Sequence, residues 1–219
     1  MLYKYLPERF ARALVDRGEA LFRTLSFFRA AEHAARGDEI EGVHVDAPEH
    51  DVTLANLTRG GGVTGRFRML NSVNQELVYA FCCSLRFDET LFSEFECDTC
   101  VVIRDIEEFV LRCRTAASRA CPIDRPAVLH RPVAYFDPTR QAPLDMKDPQ
   151  MIPFLKHFSF ANQAEYRAVF ARKGGLTVLS RIVQPNFTFE EEIRAASTDQ
   201  KRLTLGRLSH IAELVHRGA

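Results

Sequence analysis

Three polar residues between His157 and Arg172 are candidates for a catalytic or binding site. Gln163, Glu165 and Arg167 alternate with small or apolar residues. Residues two apart lie on one face of a β-strand, so that face would carry an amide, a carboxylate and a guanidinium in a row. A solvent-exposed strand with no function shows the same pattern. The pattern alone therefore favours a wet strand face.

A second candidate is the pair Cys97 and Cys100, which invites a zinc or redox interpretation. A structural zinc site needs another close ligand pair, whereas Cys113 and Cys121 are eight residues apart and no His-x-x-x-His lies nearby. A redox pair is expected at a helix start, but Cys100 leads into the apolar run Val101-Val102-Ile103. We expect no metal site and no redox site here.

A third candidate is the acidic stretch RGDEIEG, residues 36 to 42, which holds Asp38, Glu39 and Glu41. Clustered carboxylates can bind a hard cation, but the spacing lacks the regular ligand alternation of a calcium loop. The sequence favours an acidic, solvated turn.

Composition sets the limits within which any site must be built. The 219 residues are 46% hydrophobic and 26% charged, with 29 basic and 29 acidic side chains. The length suits one domain, residues 1 to 219, and the charge balance gives no overall field that would attract nucleic acid. The chain lacks the apolar core of a signal peptide, and no apolar run approaches the roughly 20 residues that cross a bilayer. We expect a cytoplasmic protein with no membrane partner, a compartment that the six cysteines fit if they are free thiols.

The elements that would position these residues follow from periodicity and capping signals. Alternation predicts a first strand over Leu2–Leu6, and the apolar run of residues 77 to 85 predicts a strand in the centre of a sheet. Asp105 opens a helix that Cys121-Pro122 stops. A helix is also predicted from Pro7 to Gly18, followed by a strand over residues 20 to 25. Strands are predicted over residues 51 to 58 and 66 to 70, on either side of a glycine-rich turn. The chain is predicted to end in a helix whose apolar residues share one face: Leu208, Ile211, Leu214 and Val215.

Five motifs are spread over nearly the whole chain: LYKY at the start, FFRAAEHAARGDEIEG, the FCCS strand, PVAYFD and the late FANQAEYR. Together they resemble an uncharacterised bacterial family, a domain of unknown function. The resemblance implies a relative and leaves the activity open.

The order of three elements is also similar to that of the ADP-ribosyltransferase fold. Those enzymes carry a polar or basic residue on the first strand, a Ser at the end of a middle strand, and a Glu in a Gln/Glu-x-Glu motif. This chain has Lys4 or Tyr5, then Ser84, then Glu165 with Gln163 two residues before it. It departs from the pattern because Lys4 replaces an Arg or His, and Cys82-Cys83-Ser84 replaces Ser-Thr-Ser.

The resemblance implies an α+β fold with mixed, mostly antiparallel central sheets and flanking helices. It also implies cleavage of the nicotinamide–ribose bond of NAD and modification of an unknown macromolecular acceptor. A carboxylate lowers the barrier by offsetting the positive charge that grows on the ribose. The catalytic residues would then be Glu165, Gln163 and Ser84. The residues expected to bind the nucleotide are Lys4, Tyr5, Arg23, Arg29 and Arg167.

Two other classes of function remain open from the residues. The chain could be a non-enzymatic nucleotide- or protein-binding module with a structural ion-pair network, formed by Arg36, Asp38, Glu39, Glu165 and Arg167. It could also be a metal-dependent hydrolase or nuclease that uses Asp38, Glu39 and Glu165. A cleft containing Lys4, Ser84 and Glu165 favours nucleotide chemistry, whereas Glu165 packed against Arg167 favours the structural role. With Glu165 at a site rather than in a core, we expect Glu165→Gln to change the melting temperature by only a few degrees.

Overall fold

The computed structural model describes residues 1–30, 38–56, 58–138, 147–188, 190 and 199–218. The helices in these ranges are α1 (Glu8–Arg12), α2 (Leu25–Ala30), α3 (Thr90–Glu94) and α4 (Ile106–Ala120), with a π-helical turn at Ala13–Arg17 and 3₁₀ turns at Ile152–Phe154 and Phe158–Gln163.

The strands in the same ranges are β1 (Leu2–Leu6), β2 (Glu19–Thr24), β3 (Val43–Asp46), β4 (Val52–Ala55), β5 (Gly62–Gly65), β6 (Arg68–Ser72), β7 (Val78–Ser84), β8 (Thr99–Ile103), β9 (Leu129–Pro132), β10 (Ala134–Phe136), β11 (Leu155–His157), β12 (Glu165–Ala171), β13 (Leu179–Val183), β14 (Gln200–Thr204) and β15 (Ala212–His216).

The main sheet has the strand order β14-β2-β7-β1-β8-β15, while β12 pairs with β7 and β9 pairs with β12. All of its pairings are antiparallel, and β10-β11 is the parallel pair of the described strands. Smaller sheets are formed by β13-β6-β3 and by β4-β5. The predicted α+β class with mostly antiparallel sheets is confirmed.

Strand β7 organises this sheet because it has three partners. β12 pairs along its whole length, from Glu165 opposite Ser84 to Ala171 opposite Val78. One edge of β7 is then full, so β1 and β2 must share the other edge. β1 pairs there at Ser84, and β2 pairs at Ala80 and Tyr79. The two strands therefore lie side by side with an opening between them.

Apolar side chains cover both faces of the main sheet. On one face, Phe109 and Val110 of α4 join the largest core cluster together with Phe22 and Phe81. On the other face, Ala80 and Val169 pack in a second cluster with Leu25 of α2 and Phe154. Alternate residues of β7 and β12 thus serve two cores, which explains why the central strand is continuously apolar.

Helix α4 begins where its local sequence predicts. The Asp105 carboxylate accepts a hydrogen bond of 3.0 Å from the backbone N–H of Glu108, and the helix ends at Ala120, before Cys121-Pro122. Phe109, Val110, Cys113 and Ala117 form its buried stripe.

The predicted C-terminal helix is wrong. Ala212–His216 is the strand β15, which pairs with β8 over five residues, while Leu208 and Ile211 fill the core from the turn before it. A helix here would leave this edge of β8 without backbone partners, whereas a strand pairs with it, so tertiary pairing overrides the helical spacing.

The glycine-rich turn also differs from its prediction. β4 pairs with Gly62–Gly65, inside the stretch expected to be the turn, while Arg68–Ser72 joins a different sheet. Glycine permits this close strand approach, since a Cβ on Gly62 would lie 2.9 Å from the Leu54 carbonyl oxygen.

Within the described ranges, no helix combines the length and the apolarity that spanning a membrane requires.

We expect Asp105→Ala to lower the free energy of unfolding by about 1 kcal/mol, because the first turn of α4 loses its cap. Asp105→Asn retains a capping oxygen and should stay within about 0.5 kcal/mol of the wild type. Chemical denaturation followed by circular dichroism measures both changes. Equal losses in the two variants would contradict a capping role.

Candidate functional site

A cleft of about 530 Å³ opens between β1 and β2, over the shared edge of β7. Its volume lies within the range of small-molecule sites. Residues Ala80–Ser84 of β7 form its floor, together with side chains from β11 and β12. The predicted site residues that line the cleft are Lys4, Tyr5, Arg23, Ser84, Gln163 and Glu165.

Arg29 and Arg167, which were expected to bind the nucleotide, lie outside the cleft lining. Arg29 is 6% exposed and donates to the Glu39 carbonyl and the Gln75 side chain. Arg167 is 1% exposed and bound to carboxylates in the interior. Both cations are used to tie segments of the fold together, because a buried guanidinium needs acceptors for its donors.

Glu165 is the carboxylate at the floor of the cleft, and both of its oxygens contact cations. Oε1 accepts from Arg167 Nε at 2.6 Å, and Oε2 accepts from Lys156 Nζ at 2.8 Å. The backbone N–H of Glu165 donates to the Tyr135 hydroxyl at 2.7 Å. Glu165 is only 5% exposed. The interpretation of this stretch as a wet strand face is wrong, because β12 lies between β7 and β9 and all seven of its residues are buried.

Arg167 joins Glu165 to a second carboxylate, because its guanidinium also binds both oxygens of Glu41. Glu41 is fully buried and Asp38 is 4% exposed, whereas Glu39 is exposed. The prediction of a solvated acidic turn is therefore wrong for Asp38 and Glu41. Asp38 accepts from the backbone N–H of His157 at 3.0 Å, so this segment is tied to β11 as well.

The network differs in membership from the one expected from the sequence. Glu41 takes the place that Glu39 was expected to fill, and Arg36 lies outside the described residues. Lys156 was missed altogether. Its signal was a lone cation inside the apolar run Met151 to Phe158, where a buried Lys requires a carboxylate partner.

The charges in the network stabilise one another. Burial opposes ionisation of Glu165, but the Arg167 and Lys156 charges outweigh it and hold the pKa of Glu165 far below its ordinary value. Burial likewise disfavours the Lys156 ammonium, yet Glu165 and Glu41 raise the pKa of Lys156 above the ordinary lysine value. Burial outweighs Arg167 at Glu41 and raises the pKa of that carboxyl. Glu165 and Lys156 are thus both charged at neutral pH.

Gln163 reaches the same cluster from outside the strand. It ends a 3₁₀ turn, and Ala164 follows in the left-handed region with φ of 42°. The prediction that Gln163 lies on the strand is therefore wrong. Its Oε1 accepts from Lys156 at 2.9 Å, and its Nε2 donates to Glu94 at 2.7 Å. Lys156 therefore links Gln163, in the 3₁₀ turn, to Glu165, on the strand, although the two residues do not share a strand face.

Ser84 lies directly opposite Glu165 in the register, so the two side chains share a face. Its hydroxyl donates to the Arg86 carbonyl at 2.9 Å and accepts from the Arg86 N–H at 3.2 Å. These bonds close the turn after β7. Glu165 is held by Arg167 and Lys156.

Lys4 and Tyr5 line the cleft from β1. Lys4 Nζ donates to the Cys82 carbonyl at 2.7 Å, in the opening where β1 and β2 separate. The Tyr5 hydroxyl bonds the backbone of Asp88, and burial raises the pKa of Tyr5 to about 12. Lys4 therefore brings a positive charge to the cleft, and Tyr5 brings a neutral ring.

The described side chains that line the cleft carry an excess of positive charge. Six are cationic and two are carboxylates. Each carboxylate is paired: Glu165 with Lys156 and Arg167, and Glu19 with Arg17 at 2.6 Å and Arg202 at 3.7 Å. Such a cleft favours an anionic ligand.

The arrangement leaves little room for a divalent ion between the acidic loop and Glu165. The Arg167 guanidinium lies between the Glu41 and Glu165 carboxylates and binds both. No group of three or more His, Cys, Asp or Glu side chains within the described ranges has metal-binding geometry. Cys97 and Cys100 are both thiols, and burial raises the pKa of Cys100 to about 12, which suppresses thiolate chemistry there.

The chain matches no protein-family model, no curated protein and no solved structure.

We predict that Glu165→Gln lowers the free energy of unfolding by about 3 to 5 kcal/mol at pH 7, since it leaves Arg167 and Lys156 short of an anion. The burial of Glu165 replaces the earlier expectation of a small change in melting temperature. The folded-state pKa of Glu165 is below its ordinary value of 4.5, so its stabilisation is fully present above that pH and is lost as the pH falls through the folded-state pKa. The difference in the free energy of unfolding between wild type and Glu165→Gln should become smaller as the pH falls from 7 to 3.

Urea denaturation across this pH range measures the difference. Glu8→Gln is the matched control, because Glu8 pairs with Arg12 at the surface and should change stability by less than about 0.5 kcal/mol. A loss of unfolding free energy for Glu165→Gln that is small at pH 7, or that does not change with pH, would contradict a stabilising role for the network.

Proposed function

We propose that the chain binds a nucleotide, with NAD as the first candidate, in the cleft between β1 and β2. The observation that carries the proposal is the meeting of Lys4, Ser84 and Glu165 around one cleft with an excess of cations. These residues lie far apart in the sequence, and β7 brings them together because Ser84 pairs with β1 on one edge and with Glu165 of β12 on the other.

The chemistry of the lining suits the two parts of a nucleotide. Lys4, Arg9 and Arg23 offer positive charge to phosphate oxygens, which bind cations through charge-assisted hydrogen bonds. The half-buried Tyr3 offers a ring against which a base or a ribose packs, while Tyr5 is buried against Phe92 and supports that wall of the cleft. The likeness to the ADP-ribosyltransferase fold is part of this proposal, and the meeting of Lys4, Ser84 and Glu165 around one cleft supports it.

Cleavage of NAD is a second candidate, favoured by the ionised Glu165 at the cleft floor. In that reaction the bond between ribose C1′ and the nicotinamide nitrogen breaks, and nicotinamide leaves neutral with the bonding electron pair. The ribose carries the positive charge until a nucleophile of the acceptor attacks C1′ and gives up its proton. A carboxylate that stays ionised beside C1′ lowers this barrier.

Features of the network favour binding over turnover. Both Glu165 oxygens contact cations, which weakens the negative charge available to a ribose, and Gln163 is engaged by Lys156 and Glu94. The binding module with a structural ion-pair network is therefore the function that the geometry supports best. A metal-dependent hydrolase is disfavoured by Arg167, which fills the space between Glu41 and Glu165.

We expect Arg23→Ala to weaken NAD binding about ten-fold, because a cation is removed from the cleft lining. Arg12→Ala is the matched control, since Arg12 is an exposed cation that pairs with Glu8 and lies outside the cleft lining. Isothermal titration calorimetry at two salt concentrations should show weaker binding at higher salt. A folded wild type that binds no NAD would overturn the proposal.

The second candidate has its own measurement. Wild-type protein incubated with NAD and a lysate should release nicotinamide, and label from the adenylate part should enter a protein or nucleic-acid fraction. Glu165→Gln, assayed at a temperature where it remains folded, should lose this release. Binding of NAD with no nicotinamide released would reject cleavage and leave the binding proposal standing.

A further inference from the structure

Phe10 stands out among the exposed apolar side chains because of its position. It is 45% exposed. Of the large hydrophobic side chains that are exposed in the described ranges, Phe10 alone lines the cleft. On the same short helix, Ala11 is fully buried and anchors α1 to the core. The position of the helix therefore leaves the Phe10 ring partly exposed to water, so part of the favourable free energy of burying that ring is not realised.

A cation accompanies this ring. The Arg9 guanidinium lies over the Phe10 ring, 4.5 Å from its centroid, and Arg9 also lines the cleft. Among the described residues, Arg9 contacts this ring and no carboxylate, whereas its neighbours Arg12 and Arg17 pair with Glu8 and Glu19. Its donors are thus available to an anion, while its planar group and the ring form one stacked unit.

We propose that Arg9 and Phe10 form a stacking platform at the mouth of the cleft for the aromatic ring of the ligand. The inference rests on the proposed nucleotide-binding function and narrows it to a ligand class: molecules that join a planar aromatic ring to a phosphate. The platform packs against the ring while the neighbouring cations bind the phosphate. Charge complementarity supports this occupant, since the cationic lining disfavours an apolar ligand without an anion.

The platform has a consequence that separates ring recognition from phosphate recognition. Phe10→Ala removes the stacking surface and keeps every cation of the lining. It should weaken NAD binding about ten-fold and change binding of inorganic pyrophosphate by less than about two-fold. Phe10→Tyr retains an aromatic face and should bind NAD as the wild type does.

The experiment is calorimetric titration of the full chain with NAD and with inorganic pyrophosphate. The variants are Phe10→Ala, Phe10→Tyr and the control Phe158→Ala. Phe158 is 53% exposed and lies outside the cleft lining, so its loss should leave both affinities unchanged. Circular dichroism checks that each variant is folded, which is expected because both rings are at the surface.

Four outcomes decide the inference. A loss of affinity for NAD but not for pyrophosphate, with NAD affinity restored in Phe10→Tyr, supports the platform. If pyrophosphate alone binds too weakly to detect, the NAD affinities of Phe10→Ala and Phe10→Tyr decide the inference. NAD affinity unchanged in Phe10→Ala overturns the platform and leaves the nucleotide proposal intact. Equal losses for both probes also overturn it, because Phe10 would then act through Arg9 on phosphate. A wild type that binds neither probe overturns both proposals.

Discussion

The buried guanidinium of Arg167 is the interaction on which the centre of this structure depends. It binds Glu41 with two nitrogens and Glu165 with a third, and it also donates to the Pro153 carbonyl. A buried charge of this kind is tolerated only when its donors are satisfied. The residues that satisfy it come from the acidic segment after α2, from β12 itself and from the turn before β11. Arg167 thus joins three distant segments beneath the cleft.

The same constraint shapes the cleft chemically. Because Arg167 and Lys156 hold Glu165 ionised, a negative charge persists at the floor of a site whose lining is otherwise mainly cationic. The opening itself is a result of topology. Two strands cannot pair with the same residues of one edge, so β1 and β2 divide the edge of β7 between Ser84 and Ala80. Lys4 then satisfies the Cys82 carbonyl in the opening with its side chain. The strand topology and the buried ion pairs therefore bring charged and aromatic side chains together in the cleft.

Much of the fold was predictable from local patterns. The strand Leu2–Leu6, the central apolar strand β7 and the helix that begins after Asp105 carry signals within a few residues of each element. The C-terminal segment was not predictable in this way, because its helical spacing is overruled by the free edge of β8. The site was predictable in part. Lys4, Ser84 and Glu165 line one cleft, but Arg29 and Arg167 lie outside its lining, and Lys156, Arg9 and Phe10 were not singled out.

Local sequence is enough to identify the residues that carry charge and the stretches that form strands or a capped helix. Those properties depend on neighbouring residues, through steric preference, alternation and capping. The folded sheet alone brings Glu165 to Lys156 and Arg167 to Glu41, a residue 126 positions away. The partner of a buried charge depends on which strands become neighbours and in which register. That choice is made by packing the whole sheet, and no short stretch of sequence encodes it.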